Sequence, residues 1–422
     1  MQVGFAQRTI TPFTTMPMAG YDKRRMPFEG IHDDLYAKCL LLEDSGECLA
    51  IFSLDLLGID ESLSNEIIKM ISACGDKLSD DRVLVCATHI HSGPSGIFSK
   101  KADFDGEYFR FLVEAFKEIY ISAKGDFKPV FLQATCTEID NLASVRNIIQ
   151  PSAGQKIKAY VIKAVRDDGC VLLINLPCHP TVLDENNLYI SRDLLYGLEL
   201  GLKDFGIERS IFINGAAGNI STRYFKTAAS FAEAERLGRK IARSVLKADS
   251  HGKQISDAVI LSGKNNVLLK YKKNLSLKEK EEKKREIRDL IAKTGDSPLR
   301  RNYESALLVL ERQDRNVGSL PDTVVKGGDC FKEAVIRLVR VGNLSIACVP
   351  FEICLETGQA ISNIVDSGTG ISLVFGYCGG YSGYIATEKC DINDYESIAC
   401  QYESGSEQKL LEAFKYLSGN LM

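Results

Sequence analysis

The sequence has no excess of positive charge: 52 lysine and arginine residues face 56 aspartates and glutamates, for a formal net charge of -4. A nucleic-acid binder carries a basic footprint, so that class is set aside. No apolar run approaches the roughly 20 residues of a membrane-spanning helix. The start, MQVGFAQRTITPF, has neither the basic opening nor the apolar core of a secretory signal. The expectation is a cytoplasmic protein without a membrane span. C-x-x-C is missing although there are 13 cysteines, so a thiolate zinc site is not expected. That number is odd, and most thiols sit in apolar stretches such as AKCLLL, SIACVPF and VLVCATH, as buried reduced cysteines do. Histidine is scarce, with five in 422 residues.

What is present is the composition of a soluble globular protein, 45% hydrophobic and 26% charged. Up to about residue 265, strand-like runs alternate with amphipathic helices: CLAIFSLDLLG then SNEIIKMISAC, RVLVCAT then EYFRFLVEAFKEIYISA, RSIFING then SFAEAERLGRKIARSVLKA. Such alternation predicts an α/β fold, mixed β-sheets covered by helices. Ser230 and Glu233 have the spacing of a capping box, as do Ser276 and Glu279. The second pair opens SLKEKEEKKREIRDLIAK, a charged, solvated helix; a second helix over about 303–314 returns against it. Residues 266–325 are read as a helical-hairpin excursion from one domain spanning 1–422. No internal repeat and no low-complexity segment is visible.

Two of the five histidines stand in CATHIHSGPSG, where an apolar run meets a Gly/Pro turn. On a strand, side chains at i and i+2 share a face about 6.6 Å apart, so His89 and His91 can address one small site. His179 also follows an apolar strand, in VLLINLPCHPTVLD, before a proline that forces a turn. Active sites of open α/β sheets lie at the carboxyl ends of strands, which favours one shared site over three packed histidines. Cys178 should face away from it, into the core. His32 reads as a packing or surface residue and His251 as a solvated one. Zinc held by imidazoles also needs an oxygen ligand, and spacing alone cannot choose among the acids.

Taken in order, AQRTITPFTTMPMAGY, THIHSGP, CHPTVLDENNLYISRD, NGAAGNIST, VPFE and GYSGYIAT followed by YE resemble the neutral/alkaline ceramidase family along nearly the whole chain. The resemblance implies one zinc ion per chain and an amidase acting on the N-acyl bond of sphingosine amides, hence a place in sphingolipid metabolism. By motif it implies His89, His179, Glu352 and Tyr384 as metal ligands. His91 then lines the pocket, and Arg146, Ser221 and Tyr395 match further active-site residues. Two imidazoles and one carboxylate leave a zinc site near +1, able to acidify a bound water toward pH 7. Tyr384, with a free phenol pKa near 10, preserves that acidity if it binds as a neutral phenol. Gly215 and Gly218 in NGAAGNIST would let backbone N–H groups approach an oxyanion, together with the Ser221 hydroxyl. Ser221 is not in a G-x-S-x-G elbow, so an acyl-serine is not expected.

The sequence departs from the family beside these residues. Asn219 stands where the family has an acid, Thr222 where it has proline, and Phe351 where it has glycine; the gap from Tyr384 to Tyr395 is one residue shorter. The expectation is a chain without the family's C-terminal β-sandwich, and the 276–293 helix, with both charges and few apolar residues, does not read as a membrane anchor. Phe351 is expected to add bulk beside a ligand. The partner is thus a small-molecule or lipid-like amide, and three readings stand: hydrolysis of a ceramide-like N-acyl compound, hydrolysis of another soluble amide, peptide or ester, or a catalytically silent ligand-binding relative. The oligomeric state is not legible.

Overall fold

In the computed structural model of the chain, the residues described are all but 25, 77, 100, 102, 147–155, 249–251, 256–258, 296–297, 313–322, 367, 369–370 and 422. His251 and the end of the excursion lie outside them.

Strands β1 (Gln2–Thr9), β2 (Tyr36–Asp44) and β3 (Glu47–Leu54) form an antiparallel meander. Helix α1 (Glu61–Ala73) then carries the chain to β4 (Val83–Ala87), parallel to β3, and α2 (Gly106–Gly125) follows. The pattern recurs with β5 (Phe131–Asp140), β6 (Lys156–Arg166) and β7 (Gly169–Leu176), then α3 (Leu194–Lys203), β8 (Arg209–Asn214) parallel to β7, and α4 (Phe231–Ala248). It recurs again with β9 (Ile260–Lys270), interrupted by α5 (Leu277–Thr294) and α6 (Pro298–Arg312), before β10 (Asp329–Val341) and β11 (Leu344–Cys348). Helix α7 (Leu355–Val365), β12 (Ser372–Phe375) parallel to β11, the short α8 (Tyr395–Ala399) and α9 (Ser406–Asn420) complete it.

The strand orders are β4-β3-β2-β1, β8-β7-β6-β5 and β12-β11-β10-β9, each in a five-stranded sheet with one short extra strand. The fold therefore contains a threefold repeat of topology that the sequence does not display. A repeat of backbone path asks only that inward positions be apolar, and many residue combinations meet that demand.

Period-two alternation explains the long apolar runs. Leu40 and Leu42 of β2 point into a central core shared with Ile162 of β6 and Val339 of β10. Cys39 and Leu41 point the other way, against Ile67 of α1 and Phe116 of α2. A strand buried on both faces reads as continuously hydrophobic. The three sheets thus enclose one inner core, and the helices cover their outer faces. All 13 thiols are free, and Cys39, Cys86, Cys178, Cys348 and Cys378 are buried. No helix among the described residues is long and apolar enough to cross a membrane.

The excursion begins later than residue 266, because β9 stays in register with β10 through Lys270↔Phe331. Ser276 closes a complete capping box with Glu279 at the start of α5. At α4, Ser230 accepts the Glu233 N–H at 3.2 Å, but the Glu233 carboxylate turns to Thr227 and Arg236. Helices α5 and α6 share a small core of Ile287, Ala306 and Leu310, against which Tyr395 and Ile398 of α8 pack. The second helix of this charged excursion is therefore tied to the body of the protein.

A buried ionic cluster joins the first two repeats. Lys38 of β2 reaches Glu199 of α3 at 3.0 Å, Arg192 also binds Glu199, and Arg192 reaches Asp33 at 3.1 Å. Burial alone would raise the Glu199 carboxyl, but Lys38 and Arg192 outweigh it and bring its pKa to about 2. A depressed carboxylate pKa adds stability above its unfolded value, near 4.5, and loses it as pH falls from there toward 2. Glu199→Ala takes from buried Lys38 its carboxylate partner and leaves Arg192 with its Asp33 ion pair alone. Urea denaturation at pH 7 should show a loss of about 3–5 kcal/mol, shrinking as the comparison is moved down through that acid window.

Candidate metal centre and its pocket

The carboxyl ends of the parallel strands deliver the site. His89 follows the end of β4 by two residues, His179 the end of β7 by three, Glu352 the end of β11 by four, and Tyr377 the end of β12 by two. The histidine pair does not lie on the strand itself. His89 has φ +67°, and Tyr377, with φ +54°, stacks its ring on the His89 imidazole at 4.1 Å. Left-handed non-glycine residues cost free energy and cluster at functional sites. A turn, rather than a strand pleat, brings the His89 and His91 rings to 85° with their Nε2 atoms 3.2 Å apart.

The donor atoms converge. Glu352 Oε2 lies 3.2 Å from His89 Nε2 and 3.2 Å from His179 Nε2. A tetrahedral zinc site with bonds of about 2.0–2.1 Å places its donors about 3.3 Å apart. His89 Nδ1 lies 2.6 Å from the Leu57 carbonyl, and His179 Nδ1 lies 2.7 Å from that of Ala217 and 3.1 Å from that of Ile220. Carbonyls can only accept, so both rings carry their proton on Nδ1 and turn the Nε2 lone pair inward, the tautomer a metal ligand needs. Burial pushes the His179 pKa down to about 4 and that of His91 well below its usual value. For Glu352, burial opposes ionisation, but His89 and His179 hold the carboxyl well below the usual range. The residues present fit a divalent ion of the zinc type.

His91 joins the same cluster: the donor atoms of His89, His91 and His179 lie within 4.8 Å of one another. The geometry thus offers three imidazoles where the resemblance implies two. The His91 Nδ1 is buried without a hydrogen-bond partner. Gly20, at φ +100°, backs this ring so closely that a Cβ there would sit 2.7 Å from it.

Tyr384 pairs with Glu352 across a short parallel bridge. Its hydroxyl is 3.5 Å from His179 Nε2 and 3.1 Å from Arg146 Nη2. Burial, reinforced by Glu352, pushes this phenol far up, so it is neutral. Arg146 is placed by Ser144–Val145, which pairs with Ile220–Ser221 and so sets the Arg146 N–H on the Asn219 carbonyl at 2.9 Å. Its guanidinium donates to Glu396 at 2.6 Å and to the Gly218 carbonyl at 2.8 Å, and lies 5.0 Å from the Tyr395 ring centre. Tyr395 meets the Tyr384 ring at 5.4 Å despite the shorter gap between them. Its backbone N–H donates to Asn302 of α6 at 2.8 Å. All eight residues singled out in the sequence line one cavity of about 630 Å³.

The NGAAGNIST turn works in the opposite sense to the expectation. The N–H groups of Gly215, Ala217, Gly218 and Ile220 donate to protein carbonyls, so they offer no oxyanion hole. The carbonyls of Ala217, Gly218 and Ile220 instead hold His179 and Arg146. Gly218 is required because a Cβ would lie 2.9 Å from the Glu352 carbonyl oxygen. Two other expectations are corrected. Phe351 points away from the pocket and packs its ring on Tyr402, so it does not narrow the site. Asn219 accepts the Leu355 N–H and donates to Glu356, both at 2.9 Å, joining the turn to the start of α7. Cys178 is buried in the core, and His32 stacks on Phe231 at 3.8 Å, as expected of a packing residue.

Sequence reasoning missed several supports. Tyr381 donates to Glu352 Oε1 and Tyr377 lies beside its Oε2. The tyrosines of GYCGGYSGY were a visible signal, as was the acid of the YE pair, Glu396. Asn214 opens the NGAAGNIST motif, but nothing in the local sequence marks its role. Its side chain accepts the Cys178 N–H at 3.2 Å and donates to the carbonyls of Thr88 and Cys178, latching together the residues that precede both histidines. Asn214→Ala strands these buried groups. It should lower stability by about 1–3 kcal/mol and divalent-metal affinity by about 10–100-fold, read by thermal unfolding and titration calorimetry.

Residues 1–148 match the family model described as neutral/alkaline non-lysosomal ceramidase, N-terminal. The neutral ceramidase from Pseudomonas aeruginosa superposes with a TM-score of 0.79 at 19% identity, over 100% of this chain and 75% of that one. A ceramidase in complex with C2 superposes with a TM-score of 0.78 at 17% identity, over 99% of this chain and 74% of the other. The first 148 residues thus resemble the neutral/alkaline ceramidase family, and the chain as a whole has the fold of the solved ceramidases.

Proposed function

We propose that this chain is a single-domain, zinc-dependent hydrolase that cleaves the amide C–N bond of an N-acyl compound. The observation that carries the reading is the convergence of His89, His179 and Glu352 donors at 3.2 Å, with both Nδ1 atoms engaged by carbonyls. Likeness to ceramidases supports the amide as the bond attacked.

A zinc ion bound there supplies Lewis acidity, polarising a carbonyl and lowering the pKa of water toward about 7. The protein's own groups supply the rest. His91, kept neutral by burial, can accept a proton at Nε2. Arg146, a permanent cation bonded to the Tyr384 hydroxyl, stabilises negative charge developing on the former carbonyl oxygen. Burial pushes the Tyr395 phenol up to about 12, so it retains its proton at neutral pH and can donate it to the oxyanion or the leaving amine. The Ser221 hydroxyl, also in the cavity, adds a side-chain donor in place of the turn's engaged N–H groups.

One observation favours a soluble amide over ceramide itself: charged side chains such as Arg24, Lys101, Lys226 and Glu304 line the cavity, where a two-tailed lipid would call for apolar walls. Asn219 and Phe351, the motive for a silent relative, do not face the pocket, and that reading loses its support.

Elemental analysis of the purified protein should find about one zinc per chain, and an N-acyl amide panel should reveal turnover. His179→Ala should lose both while keeping the far-ultraviolet circular dichroism of the parent. A wild-type protein that takes up no divalent metal after dialysis against zinc, or a His179→Ala variant of undiminished rate, overturns the reading.

A further inference from the structure

Beside the metal centre the cavity wall is cationic. Arg24 is only 8% exposed, yet its partners among the described residues are carbonyls: Ala19, His91 at 2.5 Å and Asn187 at 3.2 Å. Its Nε is buried with no hydrogen-bond partner among the described residues. Lys226 likewise donates to two carbonyls, Thr181 at 2.9 Å and Val182 at 2.8 Å, next to His179 in the chain. Arg223 follows Ser221 by two residues and lies within electrostatic reach of the Glu396 carboxylate as well as of Arg146 and Arg301. Arg301, from α6, pairs with Glu185 at 3.3 Å. All four line the cavity together with His91 and His179.

The carboxylates nearest these cations are Asp184 and Glu185, with Asp193 behind Lys226, and Asp103 and Glu352 also line the cavity. Others in the cavity or beside it are engaged: Glu396 by Arg146, Asp22 by Arg312, Glu304 by Arg300. In all, eight lysine and arginine side chains and six carboxylates line the cavity, an excess of cation on a chain whose net charge is -4. A guanidinium cannot shed its charge at neutral pH, and burying it without an anion is costly. Its planar fork matches a carboxylate or phosphate.

We propose that the wall of Arg24, Arg223, Lys226 and Arg301 is an anion subsite, so that the substrate is an N-acyl amide bearing a carboxylate or phosphate a few atoms from the scissile bond. The proposal rests on the amide-hydrolase reading for its reaction, but the subsite is testable by binding alone. An N-acyl compound without an anionic group leaves this wall unmatched.

The experiment compares three matched amides on the full chain: N-hexanoylglycine, N-hexanoylphosphoethanolamine and the uncharged N-hexanoylethanolamine. With zinc-loaded protein, at least one anionic amide should exceed the neutral one in kcat/KM by at least about tenfold, the order of one charge-assisted hydrogen bond. Which anion leads separates a carboxylate from a phosphate ligand. Arg301→Glu, at a half-exposed position, should bring the anionic-to-neutral ratio close to one, and Arg24→Met should lower it. Calorimetric titration of metal-free protein should show the same preference, since no zinc is there to attract the anion. Equal or better turnover of the neutral amide by wild type, or a ratio unchanged in Arg301→Glu, overturns the subsite. If none of the amides is cleaved, the hydrolase reading fails with these substrates, and the titration decides the subsite: anion preference lost in Arg301→Glu upholds it, and no preference overturns it.

Discussion

A carboxylate oxygen buried 3.2 Å from two imidazole nitrogens is the contact on which the rest of the structure depends. Placing an ionised carboxylate in a dry interior costs several kcal/mol unless opposite charge and hydrogen bonds compensate it. Around Glu352 the Tyr381 hydroxyl donates to one oxygen, while at the other the inward lone pairs of His89 and His179 add no positive charge, so that the three converging donors together call for a cation. The imidazoles can face the acid only because Leu57, Ala217 and Ile220 hold their other nitrogens. Remove a carbonyl from that outer ring and the tautomer, not merely the position, of a ligand is lost.

The threefold topology explains how groups so distant in sequence come to share one point. Each repeat ends its two parallel strands at the same end of the central core, giving three pairs of strand termini. Within each pair one terminus supplies a converging donor group and the other a support. The first repeat gives His89 after β4 and the Leu57 carbonyl after β3. The second gives His179 after β7 and the Ala217 carbonyl after β8, and the third Glu352 after β11 and Tyr377 after β12. Asn214 bonds across the first two pairs, so the histidines cannot move independently. The backbone of Gly218 and the Asn219 side chain bind the second pair to the third.

What was legible in the sequence follows from the range of each interaction. The strands, the helices and the strand-end placement of the histidines are written in short windows, because burial imposes periods of 2 and 3.6 residues locally. The helix at Pro298–Arg312 was legible as a helix but not as a wall of the site. Its role depends on Asn302 meeting Tyr395, 93 positions away. The sense of the NGAAGNIST turn was misread for a related reason. Glycines announce close backbone approach, but whether N–H or C=O groups face the site depends on which remote carbonyls claim the donors, here Leu176 and Ile353.

The substitutions beside the site illustrate the same dependence on distant partners. Read along the chain, an amide at 219 looks like the loss of an active-site charge. In the fold it faces Glu356 in the first turn of α7, and accepts the Leu355 N–H there. An aspartate at 219 could still accept that N–H, but it would set two carboxylates 2.9 Å apart with little water between them, whereas the amide donates to one and accepts from the helix end. Asn219 and Glu356 are therefore a matched pair, and the neutral residue is what allows the acid at the helix start. The same logic covers Phe351, whose ring fills a core against Tyr402 on the far side of the strand end from Glu352. Neither residue lines the cavity, whose charge on that side is instead set by Arg24, Arg223, Lys226 and the Arg301 that α6 brings to it.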